Sequence, residues 1–214
     1  MRRLPGLHLL RAWAIVWVML FHSYIVGGVG EHFVWLSNDG WMGVDLFFVL
    51  SGYLIGYQLL APLGRGEPLA WRDFYRRRAF RILPPIVVYL AVVSLLGFGL
   101  RLIPMDRSQL LGSLFFYRNY LTLAREQGWY TGHFWSLAVE EHFYLFWPLL
   151  LWMAGFRRAR WLAPALAVAA AIWRMADAHY DWVGRLNPAL RGSVARSDYR
   201  LDILLFGCTV ALLW

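Results

Sequence analysis

Apolar residues fall along this chain in long runs broken by short polar stretches rich in arginine, which is neither the stripe of a soluble helix nor the alternation of a half-buried strand. Six runs, residues 12–29, 41–60, 84–103, 134–153, 161–176 and 199–214, are each about long enough to cross a ~30 Å hydrocarbon core as a helix, the last two only just. The predicted fold is all-α: a polytopic transmembrane helix bundle with about six spans. A further apolar stretch, residues 108–123, carries Arg118 and Asn119 near its end and reads as a re-entrant or interfacial helix rather than a seventh span. No linker, low-complexity tract or internal repeat divides the sequence, so residues 1–214 are read as a single integral membrane domain.

Composition agrees with the pattern. The sequence is 60% hydrophobic and only 16% charged, which excludes a disordered or disulfide-built chain. The net charge of +8 would point to nucleic acid in a soluble protein, but here the basic residues alternate with spans too apolar for an exposed surface, so the expected partner is the lipid bilayer and not nucleic acid. The single cysteine, Cys208, permits no internal disulfide and no thiolate metal cage. Every positive side chain is Arg, and their placement sets a direction. Arg2, Arg3 and Arg11 precede the first run, six arginines lie between Arg65 and Arg81, and Arg157, Arg158 and Arg160 follow the fourth, so these segments and the N-terminus are expected to be cytoplasmic. A cleaved signal peptide is the competing reading of the first run, opposed by the lack of a small-residue cleavage site and by His22 within it.

Ionisable side chains inside a span cost roughly 3 kcal/mol each on insertion scales, so each is a candidate for function. Arg11 and His22 are eleven residues apart, three turns plus about 20° with a rise of ~16 Å, and share one helix face with His8. His22 can serve as a general base near mid-membrane with Arg11 orienting an anionic group, or it can be a neutral histidine satisfied by a neighbouring helix while Arg11 anchors the topology. Asp45, in Gly43-Val44-Asp45-Leu46-Phe47-Phe48-Val49-Leu50-Ser51-Gly52, needs a partner: His22, whose tautomer it would fix, or an Arg, unless it simply favours a helix N-terminus. Ser51 with Gly52 can be small residues for helix packing. Glu140 and Glu141, about 100° apart on a helix, cannot both face one neighbour, so one is expected in a cavity while the other locks an Arg. His133, Ser136 and Tyr144 lie on the Glu140 face and could hydrogen-bond a sugar or orient a base. The His and Glu spacing fits no zinc pattern, so no metal is expected.

The densest charge lies in Arg72-Asp73-Phe74-Tyr75-Arg76-Arg77-Arg78-Ala79-Phe80-Arg81. On a helix Arg77 and Arg78 are four and three residues from Arg81, so their guanidinium forks can converge on one phosphate; Arg76 completes the cluster. The same run could equally hold topology or touch anionic lipid.

Taken in order, these segments resemble the acyltransferase 3 family of multi-spanning membrane acyltransferases. The matching features are Arg11 and His22, the run from Gly43 to Ile55, Arg78 and Arg81 before Pro84, Tyr117-Arg118-Asn119-Tyr120, the run from Phe134 to Tyr144, and Arg200-Leu201-Asp202 with Gly207. The resemblance implies a bacterial inner-membrane enzyme that moves an acyl group, usually acetyl, from cytoplasmic acyl-CoA to a hydroxyl, often on a cell-envelope or exported carbohydrate. It implies that His22 is the base, Arg11 its partner along the substrate path, and Arg78 with Arg81 the grip on coenzyme A phosphates; Asp45, Glu140 and Glu141 complete the candidate catalytic set. Direct attack by the acceptor is expected, since no Ser, Cys or Lys in the sequence is visibly activated, with an acyl-histidine on His22 left open. The chain departs from the family in having His8 where an acid is usual, and in about six spans where about ten are usual. Two other readings stay open: a transporter or lipid-carrier binding protein, and a truncated or partner-dependent non-catalytic membrane subunit.

Overall fold

The computed structural model describes residues 5–25, 39–121 and 125–212; they contain helices and no strand. Helix α1 runs Pro5–Ile25, α2 Met42–Gly64 and α3 Trp71–Ser94, the last continuing as a π-turn over Leu95–Gly99. Short helices α4 (Arg107–Leu114) and α5 (Arg125–Gly132) lead to α6 (Phe134–Tyr180), α7 (Trp182–Leu186) and α8 (Ser197–Ala211). Three of these are long and apolar enough to cross a membrane: the segments Gly6–Ser23, Met42–Gly64 and Trp71–Gly99. Large apolar side chains such as Leu9, Trp13, Met19, Val88, Val92, Trp152 and Met153 are exposed, the pattern of helices solvated by lipid.

The six apolar runs are all helical where described, with three changes of boundary. Helix α1 starts seven residues earlier than the first run, and residues 26–29 lie outside the described residues. Helix α3 begins thirteen residues before the third run, so the arginine cluster stands on the same rod as the apolar span, which continues through Pro84 and Pro85. It stops short of residue 103, because Leu100 closes the π-turn onto Leu95 and Arg101 turns left-handed at φ 55°. The fourth and fifth runs form one unit, α6, bent at Gly155, whose φ of 69° and ψ of 165° suit a residue without Cβ. The two limbs fold back on each other, since Trp147 of the first and Ala170 of the second share one core cluster. Arg157, Arg158 and Arg160 therefore begin a helical limb instead of forming a loop. Residues 108–121 hold only the eight-residue α4 and a 3₁₀ turn at Arg118–Tyr120, too short to span.

Helix α8 is the centre of the packing, wedged between α2 and α6. Close approach requires glycine: a Cβ on Gly52 would land on the Leu204 carbonyl, and one on Gly207 on the Val49 carbonyl. Gly56 faces Cys208 and Ala211 in the same seam, and the Cys208 thiol donates to the Gly52 carbonyl at 3.0 Å. Phe48, Ile55, Val139, Phe143, Trp147 and Leu204 fill the core around it. Small residues serve here because lipid tails supply no hydrophobic drive between helices, leaving van der Waals contact to hold them together.

Candidate functional site

A cavity of about 690 Å³ opens at the end of the bundle where α2 runs into the loop to α3. Its wall carries Arg11 from α1, Arg77, Arg78 and Arg81 from α3, and Tyr144 from α6, so four guanidiniums converge on one space. The convergence follows from local sequence: Arg77, Arg78 and Arg81 fall within a turn and a half of α3, and Arg11 stands one turn and a half into α1. Arg76 is not in the wall; it pairs with Asp73 at 3.1 Å, both largely exposed. At the rim Glu67 accepts two hydrogen bonds from Arg65, at 2.6 and 2.9 Å, which hold its carboxyl below the usual carboxylate range and keep it ionised.

The arginines are not equivalent. Arg78 is mostly buried; its Nε and Nη2 donate to the two oxygens of Glu141 at 3.1 and 2.5 Å, and its guanidinium lies 3.1 Å from the centre of the Tyr144 ring. Glu140, buried beside Ser51, approaches the same Nη2 only to 3.8 Å. The division expected from the helix angle is met in part: Glu141 locks an arginine, but Glu140 lines none of the cavities described and sits in the packed interior 3.8 Å from the same Arg78, with one oxygen unpartnered. Arg77 and Arg81 line the cavity and make no ion pair among the described residues.

His22 and Arg11 do share a face of α1, but they mark opposite ends of it. Gly43, at the start of α2, is level with Ala14 and Val18, so His22 stands beyond the first turn of α2, its ring 5.9 Å from that of Trp129. His22 lies in the last turn of α1 and not near its middle, because the helix begins seven residues before the apolar run and its midpoint falls well before His22. Its Nδ1–H donates to the Val18 carbonyl at 2.8 Å, which leaves Nε2 as the basic nitrogen. Between Arg11 and His22 lies a smaller pocket of about 200 Å³ lined by Ala14, Val18, Gly43, Phe47 and Ser136.

Asp45 finds an arginine and not His22: Arg200 Nη1 donates to it at 2.7 Å, clamping α8 to α2. That clamp belongs to a set of ion pairs at the His22 end, with Arg174–Asp202 at 2.8 Å and a buried Arg196 that holds Asp177 at 2.8 Å and Asp198 at 2.7 Å. Sequence reasoning did not single out Arg196, Asp177 or Ser197, and it named Asn119 only within a motif; nothing in spacing signals pairs whose members lie on different helices. Among the described residues no group of three or more His, Cys, Asp or Glu is gathered as a metal site.

A bundle of lipid-facing helices with buried charges, an arginine-lined cavity at one end and a histidine at the other defines a polytopic membrane protein built around a polar interior. The chain belongs to the acyltransferase domain family, which matches residues 4–189. It is similar to YrhL of Bacillus subtilis strain 168, provisionally named a peptidoglycan O-acetyltransferase, at 33% identity over 226 residues that cover 100% of this chain and 34% of that protein. It is also similar to the O-acetyltransferase OatA of Staphylococcus aureus strain NCTC 8325, at 30% identity over 229 residues covering 100% of this chain and 35% of OatA. The chain thus spans about a third of the length of these curated relatives. No solved structure matches it.

Proposed function

We propose that this chain is the membrane part of an O-acyltransferase that takes an acetyl group from cytoplasmic acetyl-CoA and delivers it to a hydroxyl of a cell-wall carbohydrate across the bacterial inner membrane. The observation that carries this reading is the 690 Å³ cavity with Arg11, Arg77, Arg78 and Arg81 in its wall, at the end where the positive-inside pattern puts the cytoplasm. Its charge and planar forks suit the phosphates of a coenzyme A thioester. Arg77 and Arg81 grip phosphate, Arg78 is held in place by Glu141 and Tyr144, and Arg11 closes the inner end of the path.

In this reading the acyl group passes the small pocket beside Gly43 and Phe47, which lies between the levels of Arg11 and His22. His22 Nε2 removes the proton of the acceptor hydroxyl as it attacks the acyl carbon, and the Nδ1–H bond to Val18 keeps that tautomer in place. In this reading His22, in the last turn of α1, meets the carbohydrate acceptor from the side opposite the arginine cavity. Donor binding and proton transfer thus occur at opposite ends of one helix face, and the thioester must reach between them. Asp45 with Arg200 holds the outer helix ends in register.

The experiment is turnover of radiolabelled acetyl-CoA by the purified chain in nanodiscs, with His22→Ala and Arg77→Ala/Arg81→Ala beside it. We expect His22→Ala to retain donor binding and lose at least about 100-fold in turnover, the usual contribution of a general base. The double arginine variant should lose donor binding in a salt-dependent way. Equal turnover with and without His22 would overturn the mechanism, and unaltered donor binding in the arginine variant would overturn the assignment of the cavity.

A further inference from the structure

His142 is one residue on from Glu141, about 100° further round α6, and it faces α8 instead of α3. There its Nδ1 lies 2.6 Å from the hydroxyl of Ser197, the first residue of α8. The same hydroxyl accepts from Asn119 Nδ2 at 3.0 Å, so its own hydrogen is directed at the histidine nitrogen. On its other flank the His142 ring packs against Tyr120, with ring centres 6.0 Å apart. A serine hydroxyl hydrogen-bonded to an imidazole is the pairing of nucleophile and base that activates serine for acyl chemistry.

Three further observations bear on the same point. Ser197 and Asn119 are buried, and Asn119 Oδ1 has no partner. The hydroxyl stands at the N-terminus of a fifteen-residue helix, whose positive end favours a developing oxyanion. Ser197 and His142 also line an apolar crevice of about 790 Å³ between the limbs of α6 and α8, walled by Phe143, Trp147, Leu150 and Leu166. The cavity of the arginines shares none of these residues.

We propose that Ser197 is a nucleophile, with His142 as its general base, for carboxylic esters whose apolar acyl chain lies in this crevice. Ser197 Oγ bonds to the ester carbon as its proton passes to His142 Nδ1; Asn119 Nδ2–H and the α8 terminus face the oxyanion. The carbon–oxygen bond to the alcohol then breaks, and the alcohol leaves with the proton that His142 held, giving an acyl-serine and restoring neutral imidazole. The site goes beyond the coenzyme reading, since it uses neither His22 nor the arginine cavity.

The test is reaction of the full chain in nanodiscs, without coenzyme A, with an octyl fluorophosphonate, followed by peptide mass spectrometry. The expected result is an octylphosphonyl adduct on Ser197 in the wild-type chain, slowed about 100-fold in His142→Gln as for loss of a general base. An ethyl probe should react more slowly than the octyl one. Wild-type chain without an adduct at Ser197 would overturn the proposal by itself, whether or not the variants fold. An adduct whose rate is the same in a folded His142→Gln chain, as judged by circular dichroism, would overturn the dyad. Because no coenzyme is present, either failure leaves the reading of the arginine cavity standing.

Discussion

Arg78 shows how one side chain can be legible in kind and opaque in role. Its place in an arginine run suggests a phosphate grip, yet both of its nitrogens on one edge are spent on Glu141, and its flat face on Tyr144. A buried ion pair contributes little net stability, but removing one member strands the other. Arg78→Ala should therefore lower stability by about 3 kcal/mol, the low end for such pairs because this one is about one-fifth exposed. Adding Glu141→Gln to Arg78→Ala should recover part of that loss, since the Glu141 carboxylate is then no longer left without its partner. Thermal unfolding of the three variants in detergent checks this. Arg77→Ala, which breaks no pair, should shift the midpoint little; an equal shift would refute the ion-pair account. The partner of Asp45 was open between His22 and an Arg for the same reason: a carboxylate announces its need for a partner, but a partner 155 residues away is chosen by helix rotation.

The seam between α2 and α8 shows what each helix contributes. Ser51 with Gly52 reads as a packing pair, and Gly207 recurs in the last run, so the small residues were visible beforehand. That Gly52 meets Leu204, and Gly207 meets Val49, was not. Gly52→Ala should destabilise the bundle by about 1–3 kcal/mol, because its Cβ collides with backbone that cannot move aside as a side chain tip would. Gly6→Ala, where nothing lies within 4 Å, is the control and should be neutral or slightly stabilising. Midpoints of thermal unfolding for the two variants decide it; equal shifts would mean the seam is looser than described. Helix α3 teaches a related lesson, since its hydropathy marks only the apolar half while the backbone carries on through the arginines. Hydrogen bonding within a helix does not depend on whether its side chains face lipid or water, so hydropathy understates helix length.

The arginine asymmetry and the bundle together predict a complete orientation. Cys208 is fully buried, so a membrane-impermeant maleimide should not label the native chain, and single introduced cysteines report cleanly. Glu67→Cys, in the loop between α2 and α3, should be labelled only from the cytoplasmic side, and Leu186→Cys, at the end of α7, only from the opposite side. The reverse pattern would invert the assignment of the arginine cavity to the cytoplasm. The succession of apolar runs was enough to indicate an all-helical membrane bundle and a set of buried polar residues, because a bilayer demands satisfied backbone over a set thickness and penalises each stray charge. Among the described residues, however, only three of the six expected spans are helices long and apolar enough to cross. Motif order was enough to indicate the family. Which polar groups meet was settled by the fold: Glu141 with Arg78, Asp45 with Arg200, Ser197 with His142, and His22 in the last turn of α1 beside Trp129. A helix that is apolar nearly all round carries no stripe to say which face turns inward, so its rotation and depth are set by the helices packed against it, and with them every pairing between helices.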